Sequence, residues 1–374
     1  MDIRAARQTT LNEEWAVLRQ FLPAGWEEEA RKRGALRRAR GVDGAESLLR
    51  VLMIHLATGC SLAETAVRAR TGGLAQLSAV ALFKRLQASE DWLRWLAVEE
   101  RRLLADSVPA SNRRLRAVDT TVVSEPGSTG TDWRIHYTIN LTDLQCDFFE
   151  LTDVHGGETW RRVPIAAGDI VLGDRLYANP VGVNHVVRAG GDVVVRLNWH
   201  TLPLYEERGE NLDPLRALRR LRLHGGEICD LTAWVRPAKG RPVAGRLIAV
   251  RRSAEATRAV RKKQQRRASK QQKRVSAKSR EAARYFMLWT SLPPATPAVD
   301  ILDFYRCRWQ IELNFKRMKS LLGLGHLPKK DPASARAWLH GKLLTSLLVE
   351  RIIQAANAFS PWGYRLEPPP IALA

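Results

Sequence analysis

Between Leu115 and Leu197 the chain changes its hydrophobic period, and this limits the folds open to it more than any other feature. Leu115, Ala117, Asp119, Thr121 and Val123 alternate with Arg116, Val118, Thr120 and Val122. That is the period of a strand, with one acid near its middle. Trp133–Leu141 and Cys146–Val154 read as further strands, joined by a turn at Thr142-Asp143. The apolar run Ile170–Leu172 stops at Gly173-Asp174. A buried strand that ends this way presents its acid at the carboxyl edge of a sheet, where α/β sites lie. Pro180–Arg188 is expected as a helix, with Pro in its first turn and Gly190-Gly191 past its end. Asp192–Leu197 then reads as another apolar strand.

The flanks have a different grain. Residues 1–108 read as all-helical, with Leu48, Leu49, Val51, Leu52, His55 and Leu56 at helical spacing and a capping box opening at Ser61. The breaks at Gly59 and Gly72-Gly73 suit a helix-turn-helix unit with Ala79–Gln87 as its recognition helix, and equally a plain helical bundle. Residues 200–284 read as a β-rich insertion, with strand character in 226–236 and 243–251 around a turn at Pro237–Gly240. Within it, Arg258–Arg280 carries eleven Lys or Arg and no acid, a solvated basic segment or an arm that tracks phosphates. Tyr285–Leu292 returns the chain to a strand. Asp303–Ser320 lacks Gly and Pro and is expected as one helix. On a wheel of about 100° per residue, Tyr305, Arg308, Glu312 and Lys319 fall within roughly 60°. Beside them lies an apolar stripe of Phe304, Ile311, Phe315 and Met318. An amphipathic helix over 333–357 and a Pro-rich tail, 358–374, complete the chain.

A net charge of +21 speaks of partners, nucleic acid first and anionic membrane surface second. The four cysteines are far apart and without a C-x-x-C pair, which fits free thiols in a reducing compartment. No apolar run reaches membrane-spanning length and the N-terminus lacks a secretory core, so a bacterial cytoplasmic, nucleoid-facing protein is expected. The chain contains no G-x-x-x-x-G-K-[ST], G-x-S-x-G or H-E-x-x-H motif.

The order of strands, acids and helices resembles the ribonuclease H-like fold. In that fold an acid on the first strand and one after the fourth lie side by side, and a later helix supplies a third. Asp119, Asp174 and Glu312 stand at those places. Three converging carboxylates suit hard cations, Mg²⁺ or Mn²⁺, and two such ions serve phosphoryl transfer without a protein nucleophile. The spacing Tyr305-x2-Arg308-x3-Glu312-x6-Lys319 resembles the Tyr-Arg-Glu-Lys signature of insertion-sequence DDE transposases, the branch that excises its element through DNA hairpins. Asp119-Thr120-Thr121 and Gly173-Asp174-Arg175-x-Tyr177 look like its first two acid motifs. The resemblance implies metal binding and catalysis by Asp119, Asp174 and Glu312. It implies phosphate contacts from Tyr305, Arg308 and Lys319 and a further DNA contact from Arg196. Relatives stack an aromatic on a flipped base. Phe286 holds about that place, with Tyr285 beside it and Trp289 three residues on. The implied architecture is α/β. A ribonuclease H-like core (109–199 and 285–357) is interrupted by the β-rich insertion and preceded by a helical DNA-binding domain. The implied partners are double-stranded DNA, as terminal inverted repeats and target, and a second copy of the chain on paired ends. The rival readings are a ribonuclease H-like nuclease without strand transfer and an inactive DNA-binding regulator derived from a transposase.

Overall fold

A computed structural model of the chain describes residues 14–106 and 113–358, so the Pro-rich tail lies outside the described residues beyond Ala358. Helices come first: Trp26–Lys32 (α1), Ala45–Thr58 (α2), Leu62–Thr71 (α3), Ala79–Ala88 (α4) and Glu90–Asp106 (α5). Gly59, at φ 74°, ends α2 in the left-handed region that glycine adopts without strain. The Ser61 and Ser78 hydroxyls accept from the N–H groups of Glu64 and Ala81 at 3.1 Å, opening α3 and α4. Such caps contribute about 1 kcal/mol each. On α4, Arg85 donates to the carbonyls of Ala35, Arg38 and Arg40, and Gln87 donates to Asp331, while Lys84 is exposed.

The strands follow: Leu115–Val123 (β1), Trp133–Asn140 (β2), Cys146–Asp153 (β3) and Ile170–Gly173 (β4). Pro180–Arg188 (α6) and Asp192–Arg196 (β5) come next, then a small pair, Leu204–Tyr205 (β6) and Asn211–Leu212 (β7), and Pro214–Arg220 (α7). Ile228–Thr232 (β8) and Arg246–Arg251 (β9) form a hairpin, with a bridge between Val235 and Val243 nearer its turn. The basic segment is a helix, Ala254–Lys270 (α8), capped by the Ser253 hydroxyl and followed by Ala277–Ala282 (α9). Tyr285–Thr290 (β10), Ala298–Cys307 (α10), Trp309–Ser320 (α11) and Pro332–Ala358 (α12) complete the described chain. The single helix expected over 303–320 is thus two. At their joint, Arg308 N–H donates to Tyr305 O at 3.3 Å and Ile311 N–H to Arg308 O at 3.2 Å. These bonds span three residues and tighten the turn without a Gly or Pro to announce it.

The chain divides into two compact units. The first holds residues up to Ala110, Thr120–Gly157 and Glu312 onward; the second holds Ser111–Asp119 and Glu158–Ile311. In the first, β3, β2 and the end of β1 lie in that order. The apolar face of α12, with Leu339, Leu343, Leu344, Leu347 and Leu348 buried, packs against α5 and α2. A Cβ at Gly341 would stand 2.4 Å from the Leu56 side chain, so glycine is what lets α12 approach α2. Glu350 on α12 accepts from the Tyr137 hydroxyl and the Cys146 N–H, both at 3.3 Å. Burial pushes its carboxyl up to about 7.

In the second unit the strand order is β1-β4-β5-β10-β9-β8. β1, β4 and β5 are mutually parallel, and β10, β9 and β8 continue antiparallel. The strands of residues 228–251 therefore extend this sheet through β10. Asp169, just before β4, is buried and accepts from Arg114 Nε and Nη2 at 2.8 Å, from Arg116 Nη1 at 2.9 Å and from Ala166 N–H at 2.9 Å. Arg116 is itself 2 % exposed. The four cysteines are free thiols. No described helix is long and apolar enough to cross a membrane.

Two outcomes are expected. Asp169→Ala leaves the Arg116 guanidinium buried without its carboxylate and should cost about 3–5 kcal/mol in urea unfolding. Glu350, ordinarily near 4.5, holds its proton more tightly in the folded chain. Its contribution to stability is therefore full below about 4.5 and is lost as pH rises toward 7. Relative to wild type, Glu350→Gln should gain stability over that window, by at most about 1.4 kcal/mol per pH unit. An equal pH slope in both proteins would overturn the assignment.

Candidate active site

The second unit gathers most of the residues singled out in the sequence. Strands β1 and β4 run parallel with Leu115 opposite Ile170 and Ala117 opposite Leu172. The paired register runs to Ala117 opposite Leu172, and two residues further along each chain stand Asp119, within β1, and Asp174, just past the end of β4. Asp174 follows the last residue of β4, and its Oδ1 accepts from Leu176 N–H at 2.7 Å, which steadies the carboxylate as the chain turns.

Trp160, fully buried, packs under this strand end. Its Nε1–H donates to Tyr177 O at 2.8 Å, and its ring lies 4.8 Å from the Tyr177 ring. A Cβ on Gly173 would stand 2.6 Å from Trp160, and one on Gly182 would stand 2.3 Å from it. Those two glycines exist to let the indole in. Trp160 gave no signal in the sequence, because only the fold brings it to Gly173.

Arg308, at the α10–α11 joint, places Nη1 3.5 Å from Asp119 Oδ2. Its guanidinium also lies over the Tyr305 ring, 5.6 Å from the centroid. Burial pushes the Tyr305 phenol up to about 12, against the pull of Arg308 and Arg196 and with the push of Asp174. Phe286 is partly buried and stands 5.6 Å from the Tyr305 ring, with the guanidiniums of Arg196 and Arg252 at 5.6 and 5.7 Å from its own centroid. Trp289 is a core residue: fully buried, it donates from Nε1 to Ala233 O at 2.9 Å. Burial lowers Arg252 to about 10, with Arg196 adding to the shift. Burial and then Arg196 also lower Arg175, whose guanidinium lies over Trp199 at 5.4 Å. Arg175 and Arg252 were not assigned roles from sequence. Arg175 adjoins Asp174, a signal that could have been used, whereas Arg252 reaches Phe286 only through the β9–β10 pairing.

Glu312 and Lys319 belong to the first unit. They line an open cleft of about 530 Å³ together with Thr121, Phe315, Lys316 and Ser320. Burial lowers the Lys319 ammonium below its ordinary range. Among the described residues, no group of three or more His, Cys, Asp or Glu side chains forms a metal site. Asp119, midway along β1, and Asp174, just past the end of the neighbouring β4, offer carboxylate oxygens, a donor set that fits a hard divalent cation.

Known proteins fix the class of chemistry. The family model described as Transposase DDE domain matches residues 152–348. The transposase for insertion sequence element IS421 of Escherichia coli is 33% identical over 360 residues, covering 94% of this chain and 96% of the relative. InsL of insertion sequence element IS186A, from Escherichia coli (strain K12), is 33% identical over 359 residues with the same coverage. The chain belongs to the DDE transposase family. This transposase is therefore an enzyme of DNA phosphoryl transfer, with DNA as its partner and a family-wide dependence on divalent metal. Asp174 and Glu312 lie inside the matched span, and Asp119 precedes it.

Gly173→Ala should force the new methyl against Trp160 and displace Asp174. Expected are a loss of about 1–3 kcal/mol in urea unfolding and a matching loss of DNA cleavage. Adding Trp160→Leu should restore part of the stability. No recovery would show that the contact is not the cause.

Proposed function

We propose that this transposase excises an insertion element by metal-dependent strand cleavage and hairpin formation, and then joins the freed 3′ ends to target DNA. The observation that carries the reading is the parallel pairing of β1, which bears Asp119, with β4, which leads into Asp174, together with Arg308 against Asp119. The strand orders β3-β2-β1 and β1-β4-β5 support a ribonuclease H-like core.

Asp119, Asp174 and Glu312 would hold Mg²⁺ or Mn²⁺ through oxygen ligands. Two such ions, when bound, activate the attacking hydroxyl and stabilise the leaving oxygen. The chain itself supplies no nucleophile. Water attacks first at the element end. The released 3′-hydroxyl then attacks the opposite strand to give a hairpin, and water reopens it. Arg308, Tyr305 and Lys319 grip the phosphates flanking the cut, and Arg196 adds a backbone contact. Phe286, partly exposed and with cations on its flanks, stacks on a base turned out of the duplex at the hairpin. The N-terminal helices and the basic helix α8 track DNA away from the cut, and two copies act on paired inverted repeats in the nucleoid.

The test uses DNA carrying an element end and a target plasmid. Asp119→Ala, Asp174→Ala and Glu312→Ala should each lower Mg²⁺-dependent cleavage by about 10²–10³-fold, the scale of losing one preorganised electrostatic group, and chelation should do the same to wild type. DNA retention in a gel should survive all three. Wild type should yield a hairpin on a denaturing gel and joined plasmid. Normal cleavage by Glu312→Ala would remove it from the triad, and ends released but never joined would make the protein a nuclease.

A further inference from the structure

The first unit holds a second cavity, of about 550 Å³, whose lining includes His55, Ser61, Leu62, His326, Lys329 and Lys342. No acid lines it. Its rim is exposed at Thr58, Gly59, Ser61, Ser320 and His326. Its interior contains two lysines that a folded chain would ordinarily keep in water. Lys342 is 2 % exposed and Lys329 is 7 % exposed.

Neither ammonium has a carboxylate among the described residues. Lys342 lies over the Trp338 ring, 4.9 Å from its centroid, and Lys329 over Phe83 at 6.0 Å. Ring faces compensate a buried cation only in part, so the folded chain carries two partly desolvated positive charges in one chamber. Burial lowers Lys342 to about 8 and lowers Lys329 in the same direction. His55 reports the same field. Burial, followed by the two lysines, lowers it to about 4, and its Nε2 is buried without a hydrogen-bond partner. The chamber also receives the start of α3, where Ser61 caps the helix and the first-turn N–H groups of Leu62 and Ala63 have no intrahelical acceptor. Glu64, the acid next along that helix, is already paired with Arg68 at 2.8 Å.

Two unneutralised ammoniums and a helix start, with no acid in the wall, make a receptor for a compact anion. The cavity shares Ser320 with the cleft of Glu312 and Lys319, so a strand leaving that cleft has a phosphate within reach of the rim. We infer that this chamber is a phosphate-binding site, floored by Lys329 and Lys342, that takes a backbone phosphate of the DNA. The inference rests on the transposase reading. It adds a contact remote from the acids, made by residues of the loop before α12 and of α12 itself.

The test uses full-length protein with a short duplex, its affinity measured across salt concentration. Lys329→Met and Lys342→Met keep the side-chain volume and remove the buried charge, so their urea midpoints should equal or exceed that of wild type. Each should bind the duplex about 10-fold more weakly at 0.1 M salt, with a log–log salt slope smaller by about 1. Inorganic phosphate at tens of millimolar should raise the Tm of wild type and not that of Lys342→Met. Variants that keep the wild-type affinity and slope would overturn the site. Phosphate protection lost in the variants, with DNA slopes unchanged, would assign the chamber to a small free anion and overturn the DNA contact. Failure of wild type itself to bind duplex is a separate result, and it would overturn the transposase reading along with the site.

Discussion

The second unit depends on the charge network around Asp169. A carboxylate with almost no exposure is tolerable only when its oxygens are filled, and here two arginines and a backbone N–H fill them. Arg114 and Arg116 enter with β1, while Asp169 immediately precedes β4. The network therefore ties the beginnings of two parallel strands at one level. A slip of one residue would turn every apolar side chain of β1 to the wrong face and leave Arg116 buried without its acid. Buried ion pairs contribute less to net stability than to uniqueness of arrangement, and here the arrangement is a register. Asp119 and Asp174 stand four residues beyond Leu115 and Ile170, so both acids follow from segments held in this register. The register of the strands that carry the candidate catalytic acids is thus set at the strands' beginnings, ahead of the acids themselves.

The cations of the molecule sort by what they face. Arg116 meets Asp169, Arg246 meets Asp230 and Arg351 meets Glu100, and each of these ties the fold together. Arg175, Arg196, Arg252, Lys329 and Lys342 instead face rings: Trp199, Phe286, Phe286 again, Phe83 and Trp338. Arg175 and Arg252 are also depressed by Arg196 as a neighbour. A protein with +21 charges and few spare acids leaves such groups for a polyanion to neutralise. A cation over a ring is held in position without a carboxylate to neutralise it. Arg308 belongs to both classes, with Asp119 on one side and the Tyr305 ring on the other. It is the cation best placed to register a change in charge at the acids.

Much of this was legible in the chain. The expected strands at 115–123, 133–141, 146–154, 170–172 and 192–197 are observed within a residue of those bounds, because alternation and Gly or Asp terminators are local signals. The turn at Asp174 was legible for the same reason, since the apolar run stops at Gly173. What escaped was every residue whose meaning is tertiary. Asp169 is one acid among many until two arginines from another strand close on it. Trp160 lies in a short 3₁₀ turn with no periodic pattern around it. Lys329 and Lys342 look like surface lysines in any linear reading, since burial of an amine leaves no mark on its neighbours in sequence.

The joint at Arg308 shows how a sequence pattern can be correct while the geometry inferred from it is not. On a continuous α-helix, residues three apart are offset by about 60°. In a 3₁₀ step they eclipse. The hydrogen bonds from Arg308 N–H to Tyr305 O and from Ile311 N–H to Arg308 O are of that tighter kind. Eclipsing stacks the residue-308 side chain directly over residue 305, where a guanidinium is found 5.6 Å from a phenol ring. From that position the same guanidinium reaches Asp119. The two-residue interval between Tyr305 and Arg308 is therefore a requirement of the joint. One residue more or fewer would rotate the arginine away from both ring and acid. Glu312, four residues further on, stands in resumed α-helix, where the interval from Arg308 is one ordinary turn. The spacing first read as an arc on one wheel is better understood as two turns of different pitch, the tighter of which positions a cation against the first acid.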